Sequence, residues 1–286
     1  MSKVVGRRVA VVGAGTMGMG VAYVFAAAGC ETTLVEPDRS QAQRALSTIR
    51  AQAERAEHKG KLDAAVADGL ADRVQVAAGV SELGLGLDLI VEAVPERIEL
   101  KRRVLAAAEA REPVLLASNT SGLSIDGLAV ALRRPGSFIG LHFFNPVWSM
   151  PLVEIVRGSG TTEAAVAKAC AAAELIGKET IVVRDAPGFA TSRLGVAIGL
   201  EAMRMLEDGV AVAADIDRAM ELGYRHPMGP LRLTDLVGLD VRLDISQHLA
   251  RTYGPRFDPP QILIDKVAAG ELGRKTGRGF YDWSSE

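Results

Sequence analysis

The sequence predicts an α/β domain built on a mostly parallel sheet, followed by a smaller all-α domain. Three observations carry this. Short apolar runs alternate with long helical patterns from the start of the chain to about residue 185, and strand signals nearly vanish after the DAPGF stretch at 185–189. The first strand also runs straight into a glycine-rich turn and a helix. Strand–helix alternation of this kind puts parallel strands under a cover of helices. With 286 residues the chain suits one large or two moderate domains, and the expected division is 1–184 and 185–286.

The pattern predicts strands at 9–12, 32–35, 74–77, 87–91, 114–117, 138–141, 152–156 and 180–183. Long helices are expected at 40–57, 99–109 and 163–176. In the second part the helical segments are 192–207, 214–222, 231–235, 242–252 and 260–269. The chain closes on GRKTGRGFYDW, where Phe280, Tyr281 and Trp283 predict a tail docked back onto the body, with Lys275 available for a carboxylate or ligand.

Residues 8–20 read RVAVVGAGTMGMG, in which Gly13, Gly15 and Gly18 satisfy GxGxxG. The first glycine permits a tight turn, the second lets backbone approach a pyrophosphate, and the third packs the helix on the strand. Alone the motif is weak. Here a strand precedes it, a helix over 16–28 follows, and Thr16 and Met17 open that helix toward the phosphates. The next strand ends at Glu36, where an acid accepts hydrogen bonds from the adenosine ribose and repels a 2′-phosphate. The reading is therefore a Rossmann-type domain for NAD rather than NADP. Arg39 is the one nearby feature that points the other way, its alternative being a solvated helix start.

The segment GLHFFNP at 140–146 carries the chemistry, with Glu154 on the following apolar strand. Pro146 and Pro151 break the run, and a turn centred on Trp148 sets His142 opposite Glu154. Opposed residues of an antiparallel pair have Cβ atoms about 4.5–5.5 Å apart, close enough for a carboxylate to fix the imidazole for general-base work. The alternative is a structural histidine. Beyond the strand at 87–91, Ala93 and Glu96 fall where parallel sheets place ligands. Ser118, Asn119, Thr120 and Ser121 cluster in the same way after the strand at 114–117, their alternative being a polar turn with helix caps at Ser124 and Asp126.

Hydrophobic residues make up 48% and charged ones 24%, and the net charge of −2 gives no general pull toward nucleic acid or anionic membranes. No apolar run approaches the roughly 20 residues of a membrane span. The first strand begins too early to leave room for a leader, so a cytoplasmic protein is expected. Cys30 and Cys170 are too few for a disulfide framework or metal cluster and read as small buried hydrophobes.

Taken together, VVGAGTMGMG, DLIVEAVPE, ASNTSGLSI, GLHFFNPVWSMPLVEIV, DAPGF, HPMGPLRLTDLVGLD and GRKTGRGFYDW resemble the L-3-hydroxyacyl-CoA dehydrogenase family nearly end to end, in particular its short bacterial 3-hydroxybutyryl-CoA members. The resemblance implies reversible NAD-dependent oxidation of a short (S)-3-hydroxyacyl-CoA. It also implies a homodimer formed through the helical domain, which contributes to the substrate cleft. It places the catalytic pair at His142 and Glu154, the substrate-site Ser at Ser121 and the nearby Asn at Asn145. Cofactor contacts are implied at Gly13, Gly15, Gly18, Glu36, Glu96, Lys101 and Lys275, and Ser47, Lys59 and Lys61 lie where CoA phosphates are expected. One departure stands out: the family's GFxxNR reads GFATSR here, with Ser192 in place of the Asn. Two other readings remain open, a dehydrogenase of a free 3-hydroxy acid or sugar acid and a non-catalytic NAD-binding protein.

Overall fold

The structure, a computed structural model, describes residues 7–284 apart from the side chain of Ala71. It divides into two compact units, one ending at Asp185 and the other beginning at Ala186.

In the first unit β1 (Arg8–Val12) leads into α1 (Thr16–Ala27) and β2 (Glu31–Val35). Then come α2 (Arg39–His58), α3 (Ala64–Leu70), β3 (Val74–Ala77), β4 (Leu89–Glu92) and α4 (Ile98–Glu109). The unit finishes with β5 (Leu115–Ser118), α5 (Ile125–Ala129), β6 (Phe138–Phe143), β7 (Leu152–Arg157), α6 (Glu163–Leu175) and β8 (Glu179–Arg184). These strands form one eight-stranded sheet in the order β3-β2-β1-β4-β5-β6-β7-β8. The strands from β3 to β6 in that order are mutually parallel, β7 is antiparallel to β6, and β8 is parallel to β7. The order reverses between β1 and β4, which is the switch point of a dinucleotide-binding sheet.

The central strands β4 and β5 are buried at every position, as expected where helices cover both faces. Their core includes Phe25, Leu34, Leu89, Val91 and Leu115. β6 runs two residues beyond the expected end at 141 because β7 continues to pair with it, at His142↔Glu154 and Phe143↔Val153. Two devices hold the turn that follows. A Cβ at Gly20 on α1 would lie 2.8 Å from Val147, so a bare backbone there lets the turn seat itself. The Lys178 ammonium donates to the carbonyls of Val147 at 2.7 Å and Met150 at 2.6 Å.

The second unit comprises α7 (Thr191–Glu207), α8 (Ala213–Tyr224), α9 (Pro230–Val237), α10 (Leu239–Tyr253) and α11 (Gln261–Ala268). Val196, Leu200, Met203, Ile216, Leu231, Leu249 and Leu263 form its core. Asp217 accepts from the amides of Leu231 and Arg232 at 2.8 Å each, satisfying the start of α9. The terminal tail docks as its aromatics predict, and the anchor is Asp235. Its buried carboxylate accepts from the amides of Phe280 and Tyr281 at 2.9 Å and from Trp283 Nε1 at 2.8 Å. Gly273 and Gly279 leave no room for a side chain beside Asp235, which explains two glycines of the tail. Among the described residues, no helix is long and apolar enough to cross a membrane.

Asp235→Ala leaves three donors without their acceptor and should cost about 3 kcal/mol or more of stability. Urea unfolding of the purified variant checks this, and a loss below about 1 kcal/mol would show that the tail is not anchored here.

Candidate active site

Sheet register brings the carboxyl ends of the central strands level. Val12 pairs with Glu92, Glu92 with Ser118, and Ser118 with Gly140. β6 continues past that line, so His142 stands beyond the strand ends, where sheets of this kind meet their ligands. The Phe143 amide donates to Asn119 Oδ1 at 3.0 Å, which ties the loop after β5 to the end of β6.

His142 Nδ1 lies 2.9 Å from Glu154 Oε2; the imidazole is 6% exposed and the carboxylate fully buried. An ionised carboxylate only accepts, so Nδ1 carries the proton and Nε2 is the basic nitrogen of the neutral ring. The Phe144 ring packs with its centroid 4.4 Å from that of the imidazole.

The three loop glycines are glycine for different reasons. Gly13 has φ +106°, and a Cβ there would lie 2.8 Å from the Ala93 carbonyl oxygen. A Cβ at Gly18 would strike the Gly13 carbonyl. Among the described residues nothing crowds Gly15, where a Cβ would meet no atom within 4 Å. The open space over Gly15, at the start of a helix that no side chain caps, fits a pyrophosphate approaching the first-turn amides of Thr16 and Met17. Glu36 lies at the end of β2, one oxygen accepting from the Ala14 amide and the other from the Asp38 amide, each at 3.1 Å. A carboxylate has lone pairs to spare for sugar hydroxyls. Arg39 is exposed at the start of α2.

Under this surface lies a buried charge network. Glu92, fully buried at the end of β4, accepts from Lys101 Nζ at 2.8 and 3.1 Å, from Ser118 Oγ at 2.6 Å and from the Val94 amide at 2.7 Å. Lys101 is 1% exposed and also lies 3.2 Å from Glu96. Glu96 accepts from the Thr120 hydroxyl, the Ser121 amide at 3.0 Å and the Gly122 amide at 3.3 Å. Burial by itself raises the Glu96 carboxyl. The Lys101 ammonium, the Thr120 hydroxyl and the Ser121 amide outweigh it and hold the group below the ordinary carboxylate value. The Lys101 ammonium is therefore taken up by two carboxylates rather than offered at the surface.

Ser121 and Asn145 are exposed, and Asn119 is half-buried. Ser192 sits in the first turn of α7. Lys275 is already matched within its own unit, bonding both oxygens of Asp240 at 2.6 Å. Lys59 and Lys61 line a cavity of about 620 Å³ together with Arg55, Lys178, Tyr23 and Trp148. Ser47 is exposed elsewhere on α2, away from that lining. Sequence reasoning passed over Glu92 as a site residue, although a carboxylate inside an apolar parallel strand must find a buried partner. Lys101 on the next helix was the visible signal.

A sheet of this order, with an open glycine loop, an acid closing the second strand and a histidine beyond the strand ends, defines an NAD-dependent dehydrogenase. The comparisons agree. Residues 8–186 match the family described as 3-hydroxyacyl-CoA dehydrogenase, NAD binding domain, and residues 188–283 match its C-terminal domain. The 3-hydroxybutyryl-CoA dehydrogenase of Mycobacterium tuberculosis is 40% identical over 282 residues, covering 97% of this chain and 98% of the relative. A probable 3-hydroxybutyryl-CoA dehydrogenase of Bacillus subtilis is 36% identical, with 98% of each chain covered. The crystal structure of (S)-3-hydroxybutyryl-CoA dehydrogenase from Ralstonia eutropha superposes with a TM-score of 0.93 at 38% identity, over 98% of this chain and 99% of that one. The chain belongs to the 3-hydroxyacyl-CoA dehydrogenase family of NAD-dependent oxidoreductases.

Lys101→Met strands Glu92 in the interior and should destabilise the first unit by about 3–5 kcal/mol. Glu96 also sets a pH dependence. Its lowered carboxyl adds stability above the unfolded value of about 4.3, and that contribution disappears as pH falls through the lower folded value. Glu96→Gln should flatten the loss of stability on acidification below about pH 4.3, read from melting temperatures across pH. An unchanged acid limb would remove Glu96 from the network.

Proposed function

We propose that the protein interconverts (S)-3-hydroxyacyl-CoA and 3-oxoacyl-CoA, with short substrates such as 3-hydroxybutyryl-CoA, and with His142 as general base. The observation that carries this reading is the 2.9 Å bond from His142 to a fully buried Glu154 at the carboxyl end of the sheet. The C3 hydroxyl of the substrate donates to His142 Nε2 and contacts Ser121 Oγ. His142 takes the hydroxyl proton, Glu154 holds the ring in its Nδ1–H form, and the adjacent negative charge stabilises the imidazolium that results. Asn145 and Ser192 contact the substrate around the reacting carbon. NAD, when bound, supplies the nicotinamide ring that accepts the hydride.

Gly13, Gly15, Gly18, Thr16 and Met17 hold the pyrophosphate, and Glu36 the adenosine ribose. Ala93, Glu96, Asn119, Ser121 and Asn145 serve the nicotinamide half, and Lys101 acts there by fixing Glu96. Lys59 and Lys61 meet the CoA phosphates in their cationic cavity, and Ser47 contributes from the exposed face of α2. Leu194, Val210, Val212, Leu222 and Tyr224 are each more than half exposed on the helical unit, and an apolar surface of this kind suits a homodimer with twofold symmetry. The working location is the cytoplasm.

Near-ultraviolet absorbance of NADH tests the reaction, with acetoacetyl-CoA set against free acetoacetate and NADPH. Thioester-dependent oxidation of NADH is expected, and activity on the free acid alone would overturn the assignment. His142→Gln should lower turnover by about 10²–10⁴-fold while NADH binding persists. Near-normal turnover in the folded variant would sink the general-base role. Glu154→Gln should also reduce turnover severely, and an unaffected rate would dismiss the pair. Replacing Glu36 by Gln should loosen the preference for NAD over NADP, read as the ratio of kcat/KM values; an unchanged ratio would exclude the ribose contact.

A further inference from the structure

The cavity beside the turn that follows β6 holds charge and aromatic surface that the first unit leaves unmatched. Its volume of about 620 Å³ lies within the roughly 300–1,000 Å³ of small-molecule sites. Arg55, Lys59, Lys61 and Lys178 line it, and none of its lining residues is an acid. Arg55 and Lys59 stand one helical turn apart on α2, so they share a face, with the small Ala56 beside them. Among the described residues, neither they nor Lys61 form an ion pair. A helix C-terminus favours cations, which accounts for Arg55 and Lys59. It does not account for the rest of the lining.

Trp148 supplies the aromatic part, edge-on to Tyr23 with ring centroids 6.1 Å apart. Tyr23 is 6% exposed, and no described residue bonds its hydroxyl, which burial raises above the ordinary tyrosine value. The half-buried Lys178 ammonium uses two of its three N–H groups on the carbonyls of Val147 and Met150. Among the described residues no carboxylate offsets its charge, and burial lowers its pKa. Those two carbonyls stand on either side of Trp148 and Ser149, which both line the cavity. The turn they belong to is the one that leaves β6 directly after His142 and Phe143. A ligand matched to this lining brings a flat ring for Trp148 and phosphates for the cations. Nucleotides have both, and every base has a face that stacks on an aromatic side chain.

We propose that the nucleotide end of the thioester, seated in this cavity with its adenine against Trp148, steadies the turn behind His142 and thereby raises turnover. This rests on the reading of Lys59 and Lys61 as CoA contacts and extends it: the nucleotide acts on kcat as well as on binding. A base stacked on Trp148 fixes the middle of the turn. A phosphate among the cations completes the charge around Lys178, which holds the turn on both sides of Trp148. Remote parts of a substrate act in this way when their binding energy orders the reacting centre.

The test divides the substrate in two. Acetoacetyl-pantetheine lacks the nucleotide, and adenosine 3′,5′-bisphosphate supplies it as a separate molecule, with NADH saturating so that the dinucleotide site stays filled. In the wild type, kcat for acetoacetyl-pantetheine should lie at least about tenfold below that for acetoacetyl-CoA, and the bisphosphate should raise it. Equal kcat values, or a bisphosphate that leaves kcat unchanged or lowers it, would overturn the proposal. Arg55→Gln, at an exposed position, should increase the bisphosphate concentration for half-activation by about tenfold. An unchanged concentration in that variant would also overturn the proposal. If neither thioester is turned over, the function reading fails separately. Intrinsic fluorescence at saturating NAD then decides: quenching by the bisphosphate in the wild type that is lost in Trp148→Phe supports the nucleotide site, and no quenching, or equal quenching in both, rejects it.

Discussion

A fully buried ion pair, Glu92 with Lys101, governs how the carboxyl end of the parallel sheet is built. Two charges out of water are stable only when every remaining donor and acceptor is met, and here each is. Ser118 and the Val94 amide occupy the rest of Glu92, while Glu96 takes the other side of Lys101. Because the partners come from β4, α4 and the loop after β5, the network fixes three chain segments against one another. Its outermost member, Glu96, holds the amides of Ser121 and Gly122. The position of an exposed serine is thus set by a lysine with almost no contact with solvent.

A second constraint acts on the histidine. His142 is not delivered by a loop; it is the penultimate residue of β6 and is held in the ladder by β7 after β5 has ended. Antiparallel pairing of β7 is what allows this, since a parallel neighbour would have required a crossover before any opposed residue could appear. The turn between the two strands is pinned by Lys178 and seated against Gly20. A side chain placed on paired backbone loses less precision to motion than one carried on a loop.

Much of this was legible in the chain. Gly13 and Gly18 are required by internal crowding and Gly15 by the space left over it, and the motif encodes both needs. The opposition of His142 and Glu154 followed from placing Trp148 at the centre of the turn, because register in a hairpin is countable. The helical unit was legible from periodicity, and the docked tail from its aromatics. Charge partnerships were not. Lys101 reads as a cation for a ligand, yet it is enclosed by Glu92 and Glu96, and Lys275, which reads as available for a carboxylate or a ligand, is bonded to the carboxylate of Asp240. Partners of this kind are chosen by tertiary packing, so periodicity and composition carry no trace of which acid a lysine meets. The same holds for Asp235, which reads as one more polar residue on a helix and proves to be the anchor of the tail.

The contrast among the buried polar groups of the helical unit is itself informative. Asp217 and Asp235 are as buried as Arg242, and each collects several donors. Where this unit encloses a charge for structural reasons, it supplies the matching groups. Other arginine nitrogens without a partner, on Arg73 and Arg111, belong to side chains that remain partly exposed. Arg242 alone among these combines an enclosed side chain with an unmet donor, and its guanidinium packs closely against α7 at Gly195. A residue retained only to fill volume would have been served as well by Leu or Met, without the cost of an enclosed charge.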